Sequence, residues 1–257
     1  MQVSDLKLWI TIQVARWRRE LIFLMGGLLT GLVAAGFAKL ADLSSLGFLS
    51  IESRWPYAPL LLTPLGFAVS IYLTLRLFPG AQGSGIPQAI AAREIQDQPR
   101  RAALVSLRIA IGKIILTAVG LLCGASIGRE GPTVQVGASL MYATGRMSPS
   151  RQPGLIVAGA SAGVAAAFNA PLAGVVFGIE ELAKSFEINT SGLIIATVIM
   201  AGLTSQAILG DYTYFGTAHV GLGQLADWAA VPVCGVIGGV MGGVFSRILI
   251  VVLSGFP

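Results

Sequence analysis

Two short segments of this sequence contain residue types that suit the binding of a small anion. "GSGIPQ" (residues 83–88) and "GREGPTVQ" (residues 128–135) each place glycines ahead of a proline suited to the first turn of a helix. Glycine lets the backbone approach a ligand closely, and a helix that begins there exposes unpaired N–H groups that attract anions. Both segments therefore predict anion-binding loops, although residues 83–88 are equally consistent with a simple turn between two segments.

Glu130 distinguishes the second segment from the first. An ionised carboxylate beside an anion site competes with the anion, and a protonated one can leave the site. Ionisable residues inside a membrane are functional candidates by default. We therefore interpret Glu130 as a gate and proton carrier, and the structural alternative is a salt bridge between Glu130 and Arg129 that caps the helix.

Three further ionisable residues lie in or beside apolar segments. Glu180 and Glu181 follow an apolar helix, where exposure to water is the simpler interpretation. Lys113 lies deep in an apolar stretch, so its ammonium group must pair with another group, reach the interface or line a wet path.

The composition indicates a membrane protein. Of 257 residues, 54% are hydrophobic and 11% are charged, whereas about 25% of the residues of a soluble domain are charged. Cys123, Cys234 and His219 have no disulfide or metal spacing, so we expect no metal or organic cofactor. We expect neither a nucleic-acid partner nor an enzyme, because the sequence lacks a basic–aromatic stripe and motifs such as HExxH or GxSxG.

The elements that must position these residues follow from the apolar runs. An all-α polytopic fold in the lipid bilayer is predicted, with an amphipathic surface helix at 1–20 and a transmembrane domain at 21–257. Within it we expect apolar spans at 21–43, 59–77, 102–127, 190–209 and 228–253, a loop at 44–57, short helices at 83–93 and 132–142, and a helix break near Asn169 and Pro171. Lys and Arg are concentrated at the N-terminus and in residues 93–108, which predicts that both lie in the cytoplasm.

The motifs together resemble the CLC family of chloride channels and chloride/proton antiporters. "GSGIP" (83–87), "GREGP" (128–132) and "AAAFNAPLAGVVFGIEE" (165–181) occur in the order and spacing of that family. The resemblance implies tilted and broken helices arranged as two inverted repeats, in a homodimer that lies in the cell (inner or plasma) membrane. Each subunit of such a dimer has its own pore.

The resemblance also implies roles for individual residues. Ser84 resembles the central chloride-coordinating serine, and Gly85 and Ile86 add backbone N–H groups. Glu130 resembles the external gating glutamate, with Arg129 and Gly131 lining the outer anion site. Glu181 resembles the internal glutamate that exchanges protons with the cytoplasm. An acid at that position favours an antiporter, and a serine at position 84 favours chloride over nitrate or fluoride.

The sequence departs from the family pattern in two places. Gln88 stands where many members have glutamate, and the chain stops at Pro257, about where the second repeat begins. We therefore expect an incomplete transmembrane domain, the first repeat plus the start of the second.

The leading functional hypothesis is chloride/proton antiport, with chloride and protons as the transported species. A passive chloride channel of the voltage-gated type, a fragment that does not transport and a membrane scaffold without transport remain as alternatives.

Overall fold

The computed structural model describes residues 3–145, 152–182, 188–210, 223 and 228–255. Two compact units, Met1–Tyr214 and Phe215–Pro257, divide the chain. The described helices of the first unit are α1 (Val3–Arg54), α2 (Pro59–Leu77), α3 (Ile86–Glu94), α4 (Gln98–Leu104), α5 (Leu107–Leu122), α6 (Glu130–Thr144), α7 (Gln152–Phe168), α8 (Pro171–Phe177), a π-helical turn (Gly178–Leu182) and α9 (Ile188–Leu209). The second unit contains α10 (Ala230–Ser254). His219 lies outside the described residues.

Five segments of the described chain are long and apolar enough to cross a membrane. They are Gln13–Arg54, Pro59–Leu77, Gln98–Leu122, Gly192–Leu209 and Ala230–Val252. The predicted spans at 59–77, 190–209 and 228–253 are confirmed. The stretch predicted at 102–127 is divided differently, because α4 ends at Leu104 and α5 runs only from Leu107 to Leu122.

The loop predicted at residues 44–57 is wrong over most of its length, because α1 continues without interruption to Arg54. Its serines do not compete with the helix: the Ser44 hydroxyl donates to the Leu40 carbonyl at 2.8 Å, and that of Ser45 donates to Ala41 at 3.0 Å. The helix ends just before Trp55, because a proline disfavours helical backbone angles at the residue that precedes it, and Trp55 is followed by Pro56. Residues 3–20 are helical and continuous with the first span, and their location on the membrane surface stays a prediction.

Close packing between α6 and α7 holds the centre of the first unit. A Cβ atom added to Gly137 would overlap the Gly159 carbonyl, and one added to Gly159 would overlap the Gly137 carbonyl. A Cβ atom on Gly163 would lie 2.5 Å from the carbonyl oxygen of Thr133. Small residues thus bring the two backbones together, as is typical of helices in membranes. This interface fixes the N-terminal half of α6, where the GREGP segment lies.

The break predicted near Asn169 and Pro171 is confirmed. α7 ends at Phe168, Asn169 has a positive φ of 54°, and Pro171 occupies the first turn of α8. The chain then widens into the π-helical turn that contains Glu180 and Glu181. Single π-helical turns of this kind occur frequently at functional sites.

Arg101 is not an exposed anchoring charge, because it is buried where α3, α4 and α7 meet. Its guanidinium donates to the Ala92 carbonyl at 3.0 Å, to Gln152 Oε1 at 2.8 Å and to the Ile95 carbonyl. The two carbonyls lie at the C-terminal end of α3, where a cation stabilises the helix dipole. Arg101 therefore fixes the end of α3 that lies opposite the GSGIP segment.

Candidate anion-binding site

The GSGIP segment forms the loop between α2 and the N-terminus of α3. Gly83 and Gly85 have φ angles of 73° and 107°, in the region that favours glycine. The side chain of Gln88 closes the loop: its Oε1 accepts the Gly85 N–H at 3.0 Å, and its Nε2 donates to the Gln82 carbonyl at 2.6 Å. The prediction of a loop that opens a helix is confirmed, and Gln88 helps to hold that loop.

Lys113 supports the same loop from α5. Its ammonium donates to the Ala81 carbonyl at 2.8 Å and to the Gly83 carbonyl, and only 3% of the residue is exposed. The Gln82 carbonyl between them accepts from Gln88, so three consecutive carbonyls are occupied by donors. No carbonyl dipole of residues 81–83 is therefore left unpaired to repel an anion.

The GREGP segment lies directly against this loop. α6 begins at Glu130, and a Cβ atom added to Gly131 would lie 2.7 Å from the Ser84 carbonyl oxygen. Conversely, a Cβ atom added to Gly85 would lie 2.7 Å from the Gly131 carbonyl oxygen. The two segments that the sequence singles out are thus in backbone contact, and only glycine permits the approach on either side.

Glu130 stands at the start of α6, with its carboxylate folded back over the preceding loop. A Cβ atom added to Gly128 would overlap Oε2 of Glu130, so the glycine makes room for this carboxylate. A carboxylate in the first turn of a helix is stabilised by the helix dipole. The same position is attractive to a free anion, which is the competition expected of a gate.

Arg129 connects the GREGP segment to α1. Its guanidinium donates to Asp42 Oδ1 at 2.8 Å and to the Ala38 carbonyl at 3.0 Å. The Arg129 side chain is 14% exposed, whereas that of Asp42 is 67% exposed. α1 therefore orients the residue that immediately precedes Glu130.

A cavity of about 730 Å³ lies where these elements meet. Its lining includes Gly83 and Ser84 of the first segment, Glu130 and Gly131 of the second, and Lys113 of α5. Apolar side chains of α2 and α5 complete the walls, including Ile71, Leu75 and Leu116. Polar interactions are stronger in such a setting than in water.

Of the residues predicted for anion binding, Ser84, Glu130 and Gly131 line this cavity, whereas Gly85, Ile86 and Arg129 are not among its lining residues. Within the described chain, the Ser84 hydroxyl and the N–H groups of Ile86 and Gly131 have no hydrogen-bond partner. Gly85 differs from the expectation, because its N–H is engaged by Gln88 and is not available to an anion. Its contribution is the conformation that turns the chain into α3.

Glu181 lies in the π-helical turn after α8, but its side chain is outside the part of the chain that the structure describes. The neighbouring Glu180 has an exposed side chain. The inner proton-transfer role of Glu181 therefore stays a prediction.

Gln135 is a supporting residue that the sequence reasoning missed. It is fully buried on α6, and its Nε2 donates to the Gly80 carbonyl at 2.8 Å and to the Leu104 carbonyl at 2.9 Å. One amide thus ties α6 to the start of the Ser84 loop and to the end of α4. The available signal was a lone amide side chain in an apolar helix, five positions after Glu130.

A match to a known family decides the classification. Residues 66–257 match a family model described as "Voltage gated chloride channel". The chain belongs to the CLC family. This assignment and the apolar helices make it a multi-pass membrane protein of the all-α CLC type.

Individual CLC relatives agree with this assignment. The H(+)/Cl(−) exchange transporter ClcA of Yersinia pestis is 32% identical over 245 residues, which cover 87% of this chain and 48% of the relative. ClcA of Salmonella paratyphi B is 32% identical over 252 residues, which cover 87% of this chain and 49% of the relative. The chain thus spans about half the length of these curated relatives.

Two solved CLC-type structures have the same fold. The crystal structure of a slow cyanobacterial Cl⁻/H⁺ antiporter matches with a TM-score of 0.78 and 29% identity, over 91% of this chain and 57% of that one. A CLC-type fluoride/proton antiporter matches with a TM-score of 0.71 and 26% identity, over 88% of this chain and 56% of that one.

Proposed function

We propose that this chain provides the gate and one wall of the anion pathway in a chloride/proton antiporter. The observation that carries the proposal is the backbone contact between the Ser84 loop and the start of α6, beside a cavity that Glu130 also lines. The relatives described as H(+)/Cl(−) exchangers support antiport over other transport modes.

Chloride would bind to donors that have no partner within the described chain. The Ser84 hydroxyl and the N–H groups of Ile86 and Gly131 are such donors. They replace part of the hydration shell of chloride, and their fixed orientation avoids the cost of reorganising solvent. Lys113 and Gln88 keep the loop carbonyls occupied, so that the site remains attractive to a negative charge.

Coupling would arise at Glu130. In the ionised state its carboxylate competes with chloride for the N-terminus of α6. When it takes up one proton, it loses that charge, leaves the site to chloride and carries the proton. Glu181 would exchange this proton with the inner solution, and Arg129 would line the outer anion site through its backbone.

The assembly and location that we propose follow the CLC family. The protein would be a homodimer in the cell (inner or plasma) membrane, with its N-terminus in the cytoplasm. The Lys and Arg residues near the N-terminus support this orientation.

The test is transport by purified protein in liposomes. A chloride gradient should drive proton movement, followed with a pH-sensitive dye, while a chloride electrode follows the anion. Glu130→Gln should abolish proton movement and leave chloride flux, whereas Glu52→Gln, an exposed acid of α1, should behave like the parent protein. Chloride flux without protons in the parent would favour a passive channel, and unchanged coupling in Glu130→Gln would contradict the gate.

The inner acid has its own matched control. Glu181→Gln should lose proton movement and keep chloride flux, while the adjacent Glu180→Gln should retain both. Equal effects of the two substitutions would count against a specific role for Glu181. Absence of any chloride flux in the parent, with no heat of chloride binding, would instead favour a scaffold without transport.

A further inference from the structure

The wall of the cavity formed by α2 and α5 contains donors that the Ser84 site does not use. Lys113 and Thr117 are one helical turn apart on α5, and both line the cavity. Residues four apart lie on the same face of a helix, with Cβ atoms roughly 6 Å from each other. Ser70 of α2 lines the same cavity.

The ammonium of Lys113 has an unused donor. It carries three N–H bonds, and within the described chain two of them are directed to the Ala81 and Gly83 carbonyls. With 3% of the residue exposed, bulk water does not solvate the third bond freely. A buried cation without a full set of acceptors is costly, so this position favours an anion.

The hydroxyl of Thr117 has no hydrogen-bond partner in the part of the chain that the structure describes, although the residue is only 5% exposed. Ser70 Oγ is likewise buried without a partner there. Buried polar atoms in native proteins are normally satisfied. Three side-chain donors on one wall therefore lack acceptors.

Thr74 of α2 shows the contrasting case on the same wall. It also lines the cavity, but its hydroxyl proton is directed to the Ser70 carbonyl at 2.7 Å. Its single donor is therefore occupied and is not available to an anion.

We propose that Lys113, Thr117 and Ser70 form an additional binding site for a small monovalent anion of the halide class, in the same cavity as the Ser84 site and distinct from the outer anion site at the Arg129 backbone. The inference deepens the proposed function and rests on it, since it adds a position for the same class of ion. An anion within reach of these donors would supply the acceptors that they lack, and the apolar side chains that also line the cavity would strengthen each interaction. The site would hold an incoming anion next to the gate while the Ser84 site is occupied.

Bromide is the probe that tests this proposal. Anomalous diffraction from crystals of the protein soaked in bromide should give one peak at Ser84 and a second between α2 and α5. Isothermal titration should detect two binding events. Thr117→Val should weaken the second event about tenfold, as expected for the loss of one hydrogen bond, and should leave the first unchanged.

The controls separate a binding role from a structural one. Thr117→Ser keeps the hydroxyl and should retain the second peak, and Thr74→Val removes only the occupied hydroxyl and should also retain it. A single peak at Ser84, or a second peak that Thr117→Val does not diminish, would overturn this inference and leave the proposed function standing. Absence of bromide from both positions would count against the proposed function as well.

Discussion

Replacing Gly85 by alanine tests whether the contact between the two motifs creates the anion site. Gly85 has a φ of 107°, where an L side chain is strained by about 1–3 kcal/mol. Its Cβ atom would lie 2.7 Å from the Gly131 carbonyl oxygen and 2.9 Å from Gln135 Cβ. Ordinary contact begins at 3.4 Å, so the backbone of α6 would have to retreat by about 0.7 Å (3.4 minus 2.7).

The backbone strain and the steric overlap both destabilise the folded protein, and the lower entropy of the unfolded chain offsets only a small part of their sum. Overpacking of this kind costs about 1–3 kcal/mol, and the smaller entropy of the unfolded chain returns about 0.4–1 kcal/mol. We therefore expect Gly85→Ala to destabilise the protein by about 1–5.5 kcal/mol. Because the strain separates Ser84 from Gly131, chloride affinity should fall by at least about tenfold, which corresponds to about 1.4 kcal/mol.

Two other glycines calibrate the measurement. Gly36 on α1 has nothing within 4 Å of a new Cβ atom, so Gly36→Ala should be neutral or stabilise by up to about 1 kcal/mol. Gly83 has a φ of 73°, but its Cβ would meet only the flexible end of Gln88, at 2.9 Å. Gly83→Ala should therefore fall between the two.

Thermal unfolding in detergent and chloride titration provide the assay. The expected order of stability is Gly36→Ala, then Gly83→Ala, then Gly85→Ala, and chloride affinity should drop most in the last. If Gly85→Ala unfolds and binds chloride as Gly36→Ala does, the close contact of the two segments does not form the site.

Two further substitutions test the supports of the site. Asp42→Asn removes a negative charge beside Arg129, so chloride should bind about twofold to fivefold tighter at low salt, and this gain in affinity should fade as salt is added. The control is Glu20→Gln, about 33 Å away from Asp42 along α1, which should show no gain in chloride affinity. An equal gain in both variants would contradict the reasoning. Arg101→Met leaves the Ala92 and Ile95 carbonyls without a donor and removes one of the two donors to Gln152 Oε1, the other being Gln98. It should cost at least about 3 kcal/mol of unfolding free energy, measured against Arg100→Met at a side chain that is 83% exposed. Equal costs would refute the structural role of Arg101.

Much of the fold follows from local properties of the sequence. Continuous apolar runs of about 20 residues indicate helices in a bilayer, because a helix of that length crosses the hydrocarbon core and satisfies its backbone polar groups within one segment. The span Pro59–Leu77 is predicted at its observed bounds for this reason. Glycine and proline mark the helix starts at Ile86 and Pro171, since their backbone preferences act within one or two residues.

The prediction failed where local signals were ambiguous. Residues 44–57 are polar enough to suggest a loop, but serines can bond to carbonyls four residues earlier and remain in a helix, as Ser44 and Ser45 do. Composition alone does not distinguish a loop from a helix here, because a serine hydroxyl can bond to the backbone in either structure. The same limit applies to Arg101, which counts as an anchoring charge in the sequence and is buried in the fold.

The sequence by itself determined that this is a membrane protein of helices, and it marked both segments that form the candidate site. Only the tertiary structure decided their partners. Lys113 binds carbonyls about thirty positions earlier in the chain, and Arg129 binds Asp42, 87 positions away. Such pairings depend on how α1, α5 and α6 pack, and packing depends on the shapes of whole helix faces. A residue's own type and its near neighbours do not contain that information.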